Sequence, residues 1–295
     1  MQREFLTPEI IAKIDSLHFR ARRVVEGFIV GNHKSPYHGF SAEFSEHRAY
    51  GLGDEIKHID WKLFGKTDRY YVKQFEEETN LRAHLILDQS SSMNYGSGPL
   101  TKMEFAQTLL ASFAYLMLKQ QDAVGLTLFD TDIQKFIPPR SKSSHLNVLL
   151  STLSKMSPGG ETAIAPILHK IADRIHKRGL IILISDLFDD PQNTFNGLKH
   201  FRYNGHEVVV FHILDPEEME LNFKDRTRFI DKETGQKITT DPWHIKTAYK
   251  DEMNKFCDFY KFNCRKNKMD YIQISTSQNM DEVVANYLIK RNSFK

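Results

Sequence analysis

Three things are scarce in this sequence. Only two cysteines occur in 295 residues, Cys257 and Cys264. Their spacing matches neither a C-x-x-C pair nor a zinc knuckle, so they are expected as ordinary thiols in a reducing compartment. Excess charge of one sign is missing as well. The net charge is +2 with 26% charged residues, which gives no electrostatic reason to expect nucleic acid or an anionic membrane as partner. Long apolar runs are absent too: "GLIILIS" is about a third of the ~20 residues that span a bilayer. The opening "MQREFLTPEIIAKIDS" scatters charge among its apolar residues and has no apolar core leading to a small-residue cleavage site. Together these absences predict a soluble, cytoplasmic protein. Neither a Walker A sequence nor a G-x-S-x-G elbow occurs, which excludes two common enzymatic designs.

What is present is enough apolar surface for a sizeable core, with 40% hydrophobic and 12% aromatic residues. Residues 8 to 30 place Ile10, Ile11, Ile14 and Leu17 at helical spacing, predicting one or two opening helices. From Gly31 to Lys66 periodicity disappears among His, Gly and charged residues, and a long irregular segment is expected. "RYYVKQFEEE" then alternates as a strand would. From Leu81 onward, short continuous apolar runs ("LRAHLILD", "AVGLTLF", "GLIILIS", "HEVVVFHIL") alternate with amphipathic stretches such as "KMEFAQTLLASFAYLMLKQQ". Such runs read as central strands of a parallel sheet, and the alternation predicts an α/β, doubly wound, mostly parallel sheet. "TRFIDKETGQKITT" predicts a hairpin excursion. A helix over Trp243–Lys266, the strand "DYIQIS" and a last helix then return to the sheet. The expected organisation is a 1–80 extension packed on the main domain, and an 81–295 domain with a hairpin inserted at about 216–242.

Three polar clusters follow these strands and enter the loops where an open α/β sheet binds ligands. Asp88, Ser90 and Ser92 follow the first strand in "HLILDQSSSMNYGSG". Asp186 ends "GLIILISD", with Asp189 and Asp190 just beyond. Thr162 lies in the Gly-rich "SPGGETAI" before a helix. Two carboxylates and three hydroxyls, all oxygen, suit a hard cation such as Mg²⁺. Each cluster also has a plain reading: Ser90 and Ser92 as caps of the next helix, Thr162 as an N-cap.

In this order, Asp88-x-Ser90-x-Ser92, Thr162 and Asp186 resemble the metal-ion-dependent adhesion site of a von Willebrand factor A domain. Upstream, Gly31-x-His33-x-Ser35-x-x-x-Gly39, then Arg48-x-Tyr50-x-x-Gly53-Asp54, then Ile59-Asp60-Trp61 resemble the signature of the bacterial domain-of-unknown-function family 58. The resemblance runs from about residue 28 to the C-terminus. It implies a non-enzymatic, metal-dependent protein-binding module. A bound Mg²⁺ (or Mn²⁺ or Ca²⁺) would keep one coordination position open for a partner's Asp or Glu. It further implies work with a MoxR-type AAA+ ATPase in the maturation or assembly of other proteins.

Arg48, Tyr50, Gly53, Asp54, Asp60 and Trp61 are expected to be structural, the charged ones as ion pairs and Trp61 as a packing anchor. His33, His38, His47 and His58 are spaced five, nine and eleven apart, which fits no compact zinc pattern. The competing reading is a Mg²⁺-dependent phosphatase-like hydrolase with Asp88 as nucleophile. That chemistry wants a carboxylate two residues on, where this chain has Ser90.

Overall fold

The computed structural model describes residues 17–25, 47–49, 51, 61–73, 81–156, 159, 163–223, 225–230 and 235–292. The chain divides into two compact units, residues 34–80 and the remainder, 1–33 with 81–295.

In the smaller unit, β1 (His47–Ala49) pairs antiparallel with β2 (Tyr71–Lys73), with Arg48 opposite Val72. Between them lies a helix, α2 (Trp61–Thr67), where the sequence predicts an irregular run up to Lys66. Seven residues are too few for apolar periodicity to show. The helix holds itself together locally: Thr67 Oγ donates back to the Leu63 carbonyl, and the Phe64 ring stacks on Tyr70 at 4.5 Å. Trp61 stands edge-on to Phe64 and is 57% exposed.

The larger unit contains helical residues 17–25 (α1) and a six-stranded sheet. Its strands are β3 (Arg82–Asp88), β4 (Ala123–Phe129), β5 (Ile133–Arg140), β6 (Leu180–Ser185), β7 (Glu207–Leu214) and β10 (Asp270–Ser275). They are ordered β10-β7-β6-β3-β4-β5; every pairing is parallel except β4 with the edge strand β5. The chain runs outward one way from β3 and the other way from β6. The sheet is therefore doubly wound, with its topological switch point between those two strands.

Strand alternation divides the apolar residues between two helical layers. Ile86, Ile181, Leu183, Val208 and Val210 face one cluster with α5 (Ile164–Arg174), α6 (Pro191–Tyr203) and α8 (Pro242–Lys266). On the opposite side, Phe211 meets Phe113 of α3 (Lys102–Lys119) and Tyr287 of α9 (Met280–Asn292). α1 belongs to this unit: Leu17, Ala21 and Val25 are buried, and His18 meets Tyr115 of α3 edge-on. α4 (His145–Lys155) buries Leu149, Leu150 and Leu153.

Two short elements complete the carboxyl end of the sheet. α7 (Pro216–Glu220) follows β7 directly, closed by a capping box in which Asp215 accepts from the helix backbone and Glu218 reaches back to the Asp215 N–H. The hairpin β8 (Thr227–Ile230) with β9 (Lys237–Thr240) follows, antiparallel as its sequence predicts.

Candidate metal-ion site at the carboxyl ends of two strands

Register brings the candidate residues together. β3 and β6 are paired in parallel with Leu87 opposite Ile184, so Asp88 ends level with Ser185, and Asp186 follows. Asp88 is 0% exposed. Its Oδ1 accepts the Ser90 N–H at 2.9 Å, and its Oδ2 accepts the Ser185 hydroxyl at 2.6 Å. Ser90 Oγ and Ser92 Oγ lie 3.0 Å apart, beside the first carboxylate.

The serines are not helix caps. Residues Ser91–Asn94 form a 3-10 turn at which Ser90 makes no side-chain cap bond. α3 is capped instead by Thr101, in a reciprocal box with Glu104. The two hydroxyls are thus free of backbone duty. Asp189 and Asp190, by contrast, are occupied: Asp189 accepts the Ile164 N–H that opens α5, and Asp190 caps α6 through Asn193 N.

Thr162 lies outside the described residues; the nearest described positions before and after it are hydrogen-bonded. The Gly159 N–H donates to the Gln89 carbonyl at 3.0 Å, and the Ile164 N–H to Asp189 Oδ2 at 2.8 Å. Tyr50, Gly53, Asp54, Asp60, His33, His38 and His58 also lie outside the described residues, and Arg48 and His47 are described only in their backbone.

Three residues not singled out from the sequence complete the site. Ser185 is one, as Asp88's donor. His212 on β7 is the second: its Nε2 donates to the Asp186 carbonyl at 2.9 Å while its Nδ1 accepts from the Tyr271 hydroxyl at 2.6 Å. Burial holds this imidazole neutral, lowering its pKa to about 4. Lys102 is the third and least expected. Its side chain is 0% exposed, and Nζ bonds Asp186 Oδ2 at 2.7 Å and Glu218 Oε1 at 2.6 Å. Burial works against its charge, but the two carboxylates more than compensate, holding the ammonium above the ordinary lysine value.

The resulting charges are unequal. Asp186 is matched by Lys102. Asp88 has no cationic side chain within ion-pair distance among the described residues, and burial, followed by the charge of Asp186, pushes its carboxyl well above the usual carboxylate range. A buried carboxylate surrounded by hydroxyl oxygens and lacking a counter-charge is a fitting place for a hard cation. Among the described residues no group of three or more Asp, Glu, His or Cys side chains is arranged to hold a metal, so such an ion would rely on the hydroxyls. A cavity of about 310 Å³ opens beside the site, lined by Ser92, Tyr95 and Glu218 on one side and by Phe223, Arg228 and Phe229 on the other. The hairpin therefore stands at the same end of the sheet as the site.

A family model described as "Protein of unknown function DUF58" matches residues 46–255. The chain is 25% identical over 240 residues to the uncharacterized protein Rv1480 of Mycobacterium tuberculosis, covering 80% of this chain and 75% of that one, and equally to Mb1516 of Mycobacterium bovis. Similar solved structures include BatB from Bacteroides thetaiotaomicron, at 18% identity and a TM-score of 0.47 over 73% of this chain and 100% of that one. The SpRpn10 VWA domain is similar at 13% identity and a TM-score of 0.40, over 70% of this chain and 94% of that one. The vWF domain of the pilus tip protein Mfa5 from Porphyromonas gingivalis is similar at 13% identity and a TM-score of 0.35, over 71% and 95%.

Proposed function

The chain belongs to the DUF58 family, and on that premise we propose that its sheet unit is a non-enzymatic protein-interaction module working through a divalent cation. The observation that carries this reading is Asp88: a carboxylate with no exposed surface and no cationic partner among the described residues, next to the Ser90 and Ser92 hydroxyls. Ser90, Ser92 and Thr162 would hold Mg²⁺ (or Mn²⁺ or Ca²⁺) by their hydroxyls, and Asp88 and Asp186 partly through water, since Mg²⁺ sheds its hydration reluctantly. The bound ion supplies Lewis acidity, directed at an Asp or Glu of a partner protein.

Asp88 as a phosphatase nucleophile is disfavoured by the same geometry. Both of its oxygens already accept hydrogen bonds, it has no exposed surface, and Ser90 stands where an acid would be needed. The partner proposed is a MoxR-type AAA+ ATPase or its client, in maturation or assembly of other proteins. This chain has no Walker A sequence, so nucleotide hydrolysis would belong to that partner. A cytoplasmic location is part of the proposal; among the described residues no helix is long and apolar enough to cross a membrane.

The test is co-purification of the chain with a MoxR-type ATPase from the same cell, in Mg²⁺ and in EDTA, using wild type and Asp88→Ala. The complex is expected only for wild type in Mg²⁺. A complex that survives both EDTA and Asp88→Ala contradicts the reading, and so does turnover of a generic phosphate ester that Asp88→Ala abolishes.

A further inference from the structure

Lys102 is in two respects badly placed for stability. It opens α3, where the helix dipole disfavours a cation, and its side chain is 0% exposed, which lysines almost never are unless paired. Its surroundings are built for it all the same. The ammonium donates to Asp186 Oδ2 and Glu218 Oε1, and the Phe188 ring lies 5.0 Å away. The backbone beneath is fixed, because the Lys102 N–H donates to the Tyr95 carbonyl at 2.8 Å. Glu218 is fixed too, its other oxygen closing the α7 capping box at Asp215 N.

We propose that Lys102 is a tethered cation that shares Asp186 with the divalent ion and thereby sets how strongly, and how electrophilically, that ion is held. The proposal rests on the metal reading above and extends it to a residue outside the adhesion-site pattern. Asp88, Asp186 and Glu218 carry three negative charges when ionised, and Lys102 returns one. The remaining two match one divalent ion. Without the lysine the ion would sit among three uncompensated carboxylates. It would be held more tightly, with less positive charge left for a partner's carboxylate. With it, Asp186 is already half-neutralised, and the site trades metal affinity for affinity toward acidic ligands. Glu218 tempers that trade by drawing the ammonium toward α7. Because Glu218 also lines the cavity beside the hairpin, the trade is tied to the wall a partner would meet.

Calorimetric titration of the full chain with MnCl₂ tests this, using wild type, Lys102→Met, Glu218→Gln and, as control, Glu217→Gln. Glu217 lies on the same short helix but bonds the Asn222 N–H and not the lysine. Lys102→Met is expected to bind Mn²⁺ at least about tenfold more tightly than wild type, since a like charge beside the ion is gone. General damage to the fold would weaken binding, so tightening is specific to the proposed role. Glu218→Gln is expected to move the opposite way, several-fold weaker, with Glu217→Gln unchanged. Equal affinity in wild type and Lys102→Met overturns the role of Lys102 and leaves the metal site standing. Binding by Lys102→Met alone upholds that role and removes the metal reading from the native chain. Binding by none overturns both. Should Lys102→Met fail to fold, Glu218→Gln decides: an unchanged affinity overturns the proposal.

Discussion

Ser185 donates its hydroxyl to Asp88 Oδ2 at 2.6 Å, joining the ends of two neighbouring parallel strands across 97 residues of sequence. The bond is buried and charge-assisted when the carboxylate is ionised, so it ranks with the stronger side-chain bonds of the fold. Ser185→Ala leaves that oxygen without its donor and is expected to cost about 1–3 kcal/mol of unfolding free energy. Urea denaturation reads this directly. A loss below about 0.3 kcal/mol would show that the bond is not what holds Asp88.

Helix capping at α3 falls to a residue outside the proposed ion site, so mutation should separate the two roles. Thr101 caps α3, whereas Ser90 and Ser92 make no cap bond. Thr101→Ala is expected to lower stability by about 1 kcal/mol and leave any response to Mg²⁺ intact. Ser90→Ala is expected to change stability little without the ion and to reduce the Mg²⁺ response. Thermal melts of both variants with and without Mg²⁺ check the pair. A reversed pattern would restore the capping role to the serines.

Acid should act against the fold through His84 in a defined window. His84, 5% exposed on β3, has its pKa lowered from 6.5 to about 4 by burial, then by the charges of His206 and Arg82. Above about pH 6.5 it is neutral whether the chain is folded or not. As pH falls from there toward 4, the unfolded chain binds a proton that the folded chain refuses, and stability is lost on the order of 3 kcal/mol across the window. His206, also buried and lowered, adds to the loss. Asp88, with its raised pKa, contributes in the opposite sense, and His212, also lowered to about 4, in the same sense as His84, but both act equally in wild type and in His84→Gln. The difference in urea stability between wild type and His84→Gln should therefore shift in favour of His84→Gln as pH falls from 7 to 4.5, and a difference that does not change with pH over that range contradicts the assignment.

Much of the sheet is legible in the sequence because its strands are buried on both faces and bounded by polar residues. "GLIILIS" and "HEVVVFHIL" allow little else. α6 is harder to read, since among its thirteen residues only Phe195, Leu198 and Phe201 are large buried apolar side chains. Its start is nevertheless marked, by Asp190 followed by Pro191. The short α2 and α7 have too few turns for any periodicity. At the site, Asp88, Ser90, Ser92 and Asp186 are legible because they stand directly at strand ends. Lys102, His212 and Glu218 are not: His212 and Lys102 reach Asp186 across 26 and 84 residues, and Glu218 reaches Lys102 across 116, with no local pattern to announce any of them.

The proposed divalent ion at Asp88 is tested most directly by the melting temperature of Asp88→Asn beside wild type as Mg²⁺ is titrated. A ligand that binds only the folded chain raises stability with its concentration. Wild type is therefore expected to melt progressively higher into millimolar Mg²⁺. Asp88→Asn removes the buried charge and one of the two acceptors that hold it, and is expected, whatever its own starting melting temperature, to ignore Mg²⁺. Indifference of wild type to millimolar Mg²⁺, Mn²⁺ and Ca²⁺, or an equal shift in Asp88→Asn, would contradict the account.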